Sequence, residues 1–158
     1  MAETEHRVCR LQEVWPLASR LAGGCARPAM VAAGLAELIT NGIEHGNLAI
    51  GFAEKRAGLV RGDLTRERDR RLAARGVGDQ GVRVSVARCA DVVCFRIRDE
   101  GAGFDWRPWL DFDRSRADAP NGRGIALARS SCFESLNYLG CGNEVEAVAL
   151  RAATGGSV

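Results

Sequence analysis

The chain has 158 residues, of which 46% are hydrophobic and 27% are charged, which is the length and balance of one globular domain. This composition excludes a disordered tail and a membrane protein. Basic and acidic residues number 22 and 20, and a net charge of +2 creates no strong field toward nucleic acid or an anionic membrane. The six cysteines have irregular spacing without a Cys-x-x-Cys pair, which argues against a zinc site or a redox motif. The charged N-terminal stretch lacks the apolar segment of a secretion signal, so we expect a cytoplasmic protein.

Two helices are predicted in the first third of the chain. Residues 11–25 have apolar side chains at helical spacing and end in two glycines, although Pro16 leaves open a helix that begins only at that proline. Pro28 opens a longer helix over 28–46. The apolar stripe that this helix would bury consists of Leu35, Leu38, Ile39, Gly42, Ile43 and Gly46.

The chain becomes polar after this helix, and we predict a helical insertion at about 48–80. Two short surface helices are expected there, although no long apolar face supports them. A connection of this length is typical of a functional or partly mobile segment. For its arginine-rich stretch, 66–75, a solvated helix pair without a partner is an equally good interpretation.

The second half of the chain alternates strands with one short helix. Residues 82–88 and 91–99 alternate apolar and polar side chains around a tight turn, which predicts an antiparallel hairpin. A helix is expected over 122–132, and a second hairpin turns at 141–143. Helices followed by strand pairs indicate an α+β protein, a two-layer sandwich with helices on one face of a mixed, mostly antiparallel sheet.

The long helix carries a row of polar residues. Glu37, Asn41 and His45 recur every four residues and therefore share one face, with Glu44 beside them. A carboxylate accepts a proton from an attacking hydroxyl or water, and an amide oxygen is a hard ligand suited to Mg²⁺. Taken alone, however, such a row is more typical of an ordinary amphipathic helix.

Two glycine motifs follow later in the chain. In 99–104 the glycines would let the backbone leave a strand sharply and approach a ligand closely, with the Asp99 carboxylate within reach of a ligand amine. In 121–127 two glycines precede a helix start, whose free N–H groups suit a phosphate, and Arg123 adds charge. Each motif alone is weak, since such turns often have no ligand.

The three motifs in this order, ELITNGIEHGN, DEGAGFDW and NGRGIAL, resemble the N-box and the two glycine boxes of the GHKL (histidine kinase-like) ATPase superfamily. The resemblance covers about residues 10–150. Within the superfamily, the compact length and the Glu-x-x-x-Asn-x-x-x-His-Gly form of the first motif are most similar to anti-sigma-factor serine kinases of the RsbW type. The resemblance to this superfamily implies the Bergerat ATP-binding fold, with ATP and Mg²⁺ as ligands.

The resemblance also implies roles for individual residues. Glu37 would be the general base, Asn41 the Mg²⁺ ligand, and His45 a neighbour of the phosphates. Asp99 would accept a hydrogen bond from the adenine amino group, and residues 104–120 would form a mobile lid. The two glycine loops would supply the other nucleotide contacts: Gly101, Gly103 and Phe104 from the first loop, and Gly122, Arg123 and Gly124 from the second.

The expected function is that of a bacterial regulatory kinase. It would phosphorylate a serine or threonine of a STAS-type anti-sigma antagonist, or bind a sigma factor, in a partner-switching pathway; the resemblance also implies a homodimer. The insertion at 48–80 departs from the compact kinases and resembles domains that work with response regulators or phosphatases. The alternative is therefore a non-catalytic, nucleotide-dependent protein-binding module. A histidine-kinase domain is disfavoured, since His6 lies in a polar terminus too short for a phosphoacceptor helix, and a degenerate domain that binds no nucleotide is the last alternative.

Overall fold

The computed structural model describes residues 3–75, 81–116 and 121–153. Within them the helices and strands run in the order β1 (Glu3–Val8), α1 (Leu11–Ala22), α2 (Pro28–Asn41), α3 (Phe52–Arg61), α4 (Leu64–Ala74), β2 (Val82–Arg88), β3 (Val92–Arg98), α5 (Gly124–Leu127), β4 (Ser135–Leu139) and β5 (Glu144–Leu150). Single π-helical turns extend α2 and α5, over Gly42–Asn47 and Ala128–Cys132. Residues 76–80 of the predicted insertion and 117–120 of the predicted lid lie outside the described residues.

The five strands form one sheet in the order β1-β2-β3-β5-β4. Every neighbouring pair is antiparallel, so the predicted α+β class is confirmed while the expected mixed sheet is wrong for the strands described. The reason lies in the position of β5. Since β3 and β4 both run antiparallel to β5, they run the same way, but β5 separates them and no parallel pair forms.

One face of this sheet is apolar and buried, and the other is mixed and carries the charged side chains. Val84, Phe95 and Ala147 point into the core and are fully buried, whereas Arg83 and Arg96 on the opposite face are exposed. Helices α1 and α2 cover the apolar face, and their buried side chains form one continuous core with it. The two-layer arrangement is therefore as predicted. No helix of the described residues has the length and apolar character needed to cross a membrane.

Strand β1 was not predicted from the sequence. Its residues pair with β2 over the register Glu3↔Ala87 to Val8↔Val82, and Val8 is its one buried residue. An edge strand needs only backbone hydrogen bonds to one neighbour, so its side chains need not alternate between apolar and polar. His6 therefore lies in this edge strand and not in a helix.

Helix α1 begins at Leu11, before the proline at which the sequence left open a start. The Glu13 carboxylate accepts the backbone N–H groups of Cys9 and Arg10, both at 3.0 Å, and so satisfies donors at the helix start. Pro16 lies within the helix and removes one backbone donor. Because the first turn is capped and the apolar face is buried, the helix continues through it.

Candidate functional site

Helix α2 does not stop at Asn41 but widens into the π-helical turn Gly42–Asn47, which lies against the end of β3. A Cβ added to Gly46 would lie 2.2 Å from Cγ of Asp99, and one added to Gly42 would lie 3.0 Å from a methyl group of Val82. The glycines therefore let the helix backbone contact the sheet directly. π-Helical turns of this kind are common at functional sites.

The first cavity, which we name the outer cavity, has a volume of about 210 Å³ and lies between α2, α3 and the start of α5. It brings together six of the site residues predicted from the sequence. The residues are Glu37, Asn41 and His45 on one side and Gly122, Arg123 and Gly124 on the other. A Cβ added to Gly124 would lie 1.7 Å from Oε1 of Glu37, so the second glycine motif touches the carboxylate directly.

The second cavity, the inner cavity, is smaller, at about 40 Å³, and lies toward the sheet. Asp99, Gly103 and Phe104 line it, and Asn41 and His45 line both cavities. Gly101 lines neither cavity but packs against the π-helical turn, since an added Cβ would lie 2.7 Å from Cα of Gly46. All the predicted site residues therefore meet in one region.

Asp99 is held at the wall of the inner cavity by hydrogen bonds on both sides. Its Oδ1 accepts the Gly101 N–H at 2.7 Å, and its own backbone N–H donates to the Asn143 carbonyl at 2.9 Å. The Asn47 side chain, which is buried, accepts the Glu100 N–H at 2.8 Å. Burial raises the pKa of Asp99 to about 6, so at neutral pH the carboxylate is an acceptor for a ligand amine.

His45 is placed between the two cavities as a neutral ring. Its Nδ1 donates to the Ile50 carbonyl, and its Nε2 is buried without a hydrogen-bond partner among the described residues. Burial is the main cause that lowers the pKa of His45. A neutral imidazole brings no positive charge to a phosphate. Because the ring proton is on Nδ1, Nε2 can accept a hydrogen bond from a ligand hydroxyl or a water.

Glu44, which the sequence placed only beside the polar row, is fully buried. Lys55 Nζ from α3 lies 2.5 Å from its Oε2, and the guanidinium of Arg68 from α4 pairs with its Oε1. This buried charge cluster ties the insertion to the π-helical turn. Lys55 also lines the outer cavity, and sequence reasoning missed it, although it is the single lysine of the chain.

Aromatic rings close the mouth of the cavities. Phe52, at the start of α3, stacks between His45 and Trp109 with both pairs of ring centroids 4.0 Å apart. Trp106 stacks on Tyr138 at 5.9 Å. Within the predicted lid, Phe112 is exposed, whereas the rings of Trp106 and Trp109 are half-buried in these stacks.

The donor atoms fit a magnesium ion that arrives with a phosphate ligand. Asn41 and Glu37 face the same cavity with an amide and a carboxylate group, both hard oxygen donors. The part of the chain that the structure describes holds no group of three or more His, Cys, Asp or Glu residues that could bind a metal ion. Mg²⁺ would therefore take its remaining ligands from phosphate and water, as it commonly does.

No protein-family model matches the chain, and the search of curated proteins finds no relative of it. Function is therefore inferred from the residues of the two cavities.

Proposed function

We propose that the protein is a bacterial regulatory kinase that binds Mg-ATP and transfers its γ-phosphoryl group to a serine or threonine of a STAS-type anti-sigma antagonist. Binding of a sigma factor in one nucleotide state belongs to the same proposal, as do a cytoplasmic location and a homodimer. The observation that carries it is the meeting of three distant chain segments, 37–46, 99–104 and 121–124, around two adjoining cavities.

The residues around the cavities divide the chemistry between them. Asp99 would accept the adenine amino group in the inner cavity, and the N–H groups beside Gly122 and Gly124, with Arg123, would bind phosphate oxygens. Glu37 would accept the proton of the attacking hydroxyl. A Mg²⁺ ion held by Asn41 would neutralise charge on the phosphates. Phosphoryl transfer depends mainly on such positioning and charge stabilisation.

The second candidate is a nucleotide-dependent binding module without transfer, which would work with a response regulator or a phosphatase. The inserted helices α3 and α4 favour it, because the ion pairs of Glu44 couple this outward surface to the cavity wall. In that case Glu37 would be dispensable for partner binding.

Calorimetric titration with ATP, with and without Mg²⁺, tests the nucleotide site. We expect binding that Mg²⁺ tightens and that Asp99→Asn weakens at least about 30-fold, because Gly101 holds the amide oxygen and turns an NH₂ donor toward the adenine amino group. Undiminished binding to this variant would contradict the proposal.

Phosphoryl transfer from labelled ATP to purified STAS-type proteins separates the two candidates. Glu37→Gln is expected to abolish transfer while ATP still binds. The matched control is Glu134→Gln, a half-exposed carboxylate paired with Arg27 far from the cavities, which should leave transfer unchanged. Partner binding without transfer by the unaltered protein would favour the binding module.

A further inference from the structure

An open groove of about 590 Å³ runs along the outer side of α3. We name it the α3 groove; its walls include Ala53, Arg56, Ala57, Val60, Trp109 and Asn121. Most of this lining is apolar, and Val60 is 78% exposed. Val60 is therefore part of one apolar lining with Phe52 and Trp109, and a contiguous apolar surface of this kind is typical of a protein-binding site.

The apolar lining of the groove is not needed for packing within the insertion. Helix α3 packs on α4 through its other side, where Gly58 is buried and an added Cβ would lie 3.2 Å from Cβ of Leu64. The groove side carries Ala53, Ala57 and Val60, which do not belong to the hydrophobic core. A partner that contacts them would bury apolar surface that the chain itself leaves in water.

The α3 groove adjoins the outer cavity, and the stacked rings of Phe52 and Trp109 line the boundary between them. Phe52, Trp109, Asn121 and Gly122 line both, and the Asn121 side chain donates to the Phe52 carbonyl at 2.9 Å, which joins the two walls. A chain segment lying in the groove would therefore lie next to the cavity that Glu37 lines, and it would reach that cavity once Trp109 leaves its stack on Phe52. A protein substrate must approach the phosphates from outside, and this groove borders that position.

The charge of the insertion indicates the chemistry of the occupant. Residues 52–75 carry eight lysine or arginine residues against four carboxylates, a net charge of +4, whereas the other residues of the chain together carry −2. Arg56 is exposed at the groove, and the described part of the chain gives it no ion-pair partner. Arg61, also at the groove, is exposed beside Asp63 at 3.0 Å. Acidic residues in an occupant would complement this surface.

We propose that the α3 groove docks the phosphoacceptor segment of the protein substrate, a segment in which apolar and acidic side chains flank the serine or threonine. This inference rests on the proposed kinase function. In the docked segment the hydroxyl oxygen forms a bond to the γ-phosphorus, its proton passes to Glu37, and the bond between that phosphorus and the bridging oxygen breaks, with the electron pair leaving on ADP. An apolar, net-cationic groove favours a protein segment over a nucleic acid, because the chain as a whole carries only +2.

The test measures fluorescence anisotropy of three labelled probes with the full chain: a twelve-residue peptide with leucine and glutamate around one serine, its counterpart with lysine for glutamate, and a uridine dodecanucleotide. We expect the acidic peptide to bind at least tenfold more tightly than the lysine peptide. Val60→Glu and Arg56→Glu are each expected to weaken it at least tenfold. The matched controls Met30→Glu on α2 and Arg20→Glu on α1 lie outside the groove and the insertion and should leave binding unchanged.

Four results would overturn the proposal: equal binding of both peptides, no effect of Val60→Glu, tighter binding of the oligonucleotide, or a self-association in sedimentation that Val60→Glu abolishes. The last would assign the groove to a second copy of the chain. Titration of ATP into the same variants keeps the two proposals distinguishable. If a groove variant loses peptide binding but still binds ATP, the loss is due to the groove alone. If the unaltered protein does not bind ATP, the proposed kinase function is contradicted.

Discussion

Asp99 illustrates how a single residue at the site opposes the stability of the fold. In the unfolded chain an aspartate titrates near about 4, whereas burial raises the pKa of Asp99 to about 6 in the folded protein. The folded state therefore binds this proton more tightly. Its stabilising contribution is present below about pH 4 and is lost as the pH rises through about 6. Because the ionised carboxylate lowers the stability of the fold at neutral pH, we expect it to serve ligand binding.

Replacing Asp99 by Asn should therefore stabilise the protein in a pH-dependent way. We expect the melting temperature to rise by about 4 °C at pH 7.5 and to stay unchanged at pH 4, because the amide is neutral at both and its oxygen can keep the Gly101 N–H bond. Thermal unfolding followed by circular dichroism measures both. Asp69→Asn on exposed α4 is the control, and equal shifts at the two pH values would refute the argument.

Gly124 tests the contact between two of the motifs. An alanine Cβ at this position would overlap the Glu37 carboxyl, at 1.7 Å, so that carboxylate must leave its place against the start of α5. Gly124→Ala should weaken Mg-ATP binding roughly tenfold in calorimetry. In Gly51→Ala the added Cβ meets nothing within 4 Å, and this variant should bind as the unaltered protein does. Equal affinities would contradict the placement of Glu37.

At the scale of elements, the insertion is held by buried charge as well as by apolar side chains, since Leu64 of α4 belongs to the core and Leu72 packs against it. Glu44 is fully buried between Lys55 of α3 and Arg68 of α4. Removing one member of such a cluster leaves the other charges desolvated without compensation. The two short helices therefore depend on a residue that precedes them in the chain.

Glu44→Gln should lower the free energy of unfolding by about 3 kcal/mol, because two partly buried cations lose their counter-charge. Urea denaturation provides the measurement. Glu54→Gln is the matched control: Glu54 also joins two elements, through Arg71, but its side chain is 43% exposed and the expected loss is below about 1 kcal/mol. Similar losses of unfolding free energy in both variants would show that the Glu44 cluster stabilises the protein no more than the exposed ion pair does.

Elements with a strong apolar period were predictable from the sequence, and elements held by other forces were not. The pattern over 28–46 and the alternation in 82–98 located α2 and the central hairpin, because buried positions there recur with the helix or strand period. Strand β1 was not predicted because its stability comes from backbone pairing at the edge of the sheet. The π-helical turn and the Glu44 cluster were not predicted because they depend on contacts between residues far apart in sequence.

The site was predictable to a similar extent. The polar row and both glycine motifs met as expected, since spacing along a helix and turns at element ends are local properties. Lys55 and Tyr138 were missed, because no local pattern shows that α3 and β4 reach the cavities. Their roles, like those of the predicted residues, stay predictions until ligand binding is measured.

In the molecule as a whole, the two cavities are small for the ligand proposed. Each is below the ~300 Å³ of a typical ligand pocket, and the stack of His45, Phe52 and Trp109 stands at their mouth. A nucleotide that occupies both must displace part of this stack. We therefore expect the segment around Trp109 to move when ATP binds.

Tryptophan fluorescence should report this movement. Saturating Mg-ATP is expected to change the emission, because Trp109 exchanges its stack on Phe52 for a different environment. Trp109→Phe should remove most of the change, whereas Trp15→Phe, which replaces a 57% exposed side chain on α1, should preserve it. An emission spectrum that stays constant at saturating Mg-ATP would rule out the displacement.

The buried carboxylate of Glu44 also limits how this chain can shorten. Many surface insertions can be lost because their removal leaves only backbone to reconnect, but deletion of 52–75 would also remove Lys55 and Arg68, the two partners of the Glu44 carboxylate. A chain that loses these helices keeps a carboxylate at the π-helical turn without its counter-charges. The insertion and this carboxylate therefore form one unit, and a shortened design should be made both with Glu44 and with Glu44→Gln.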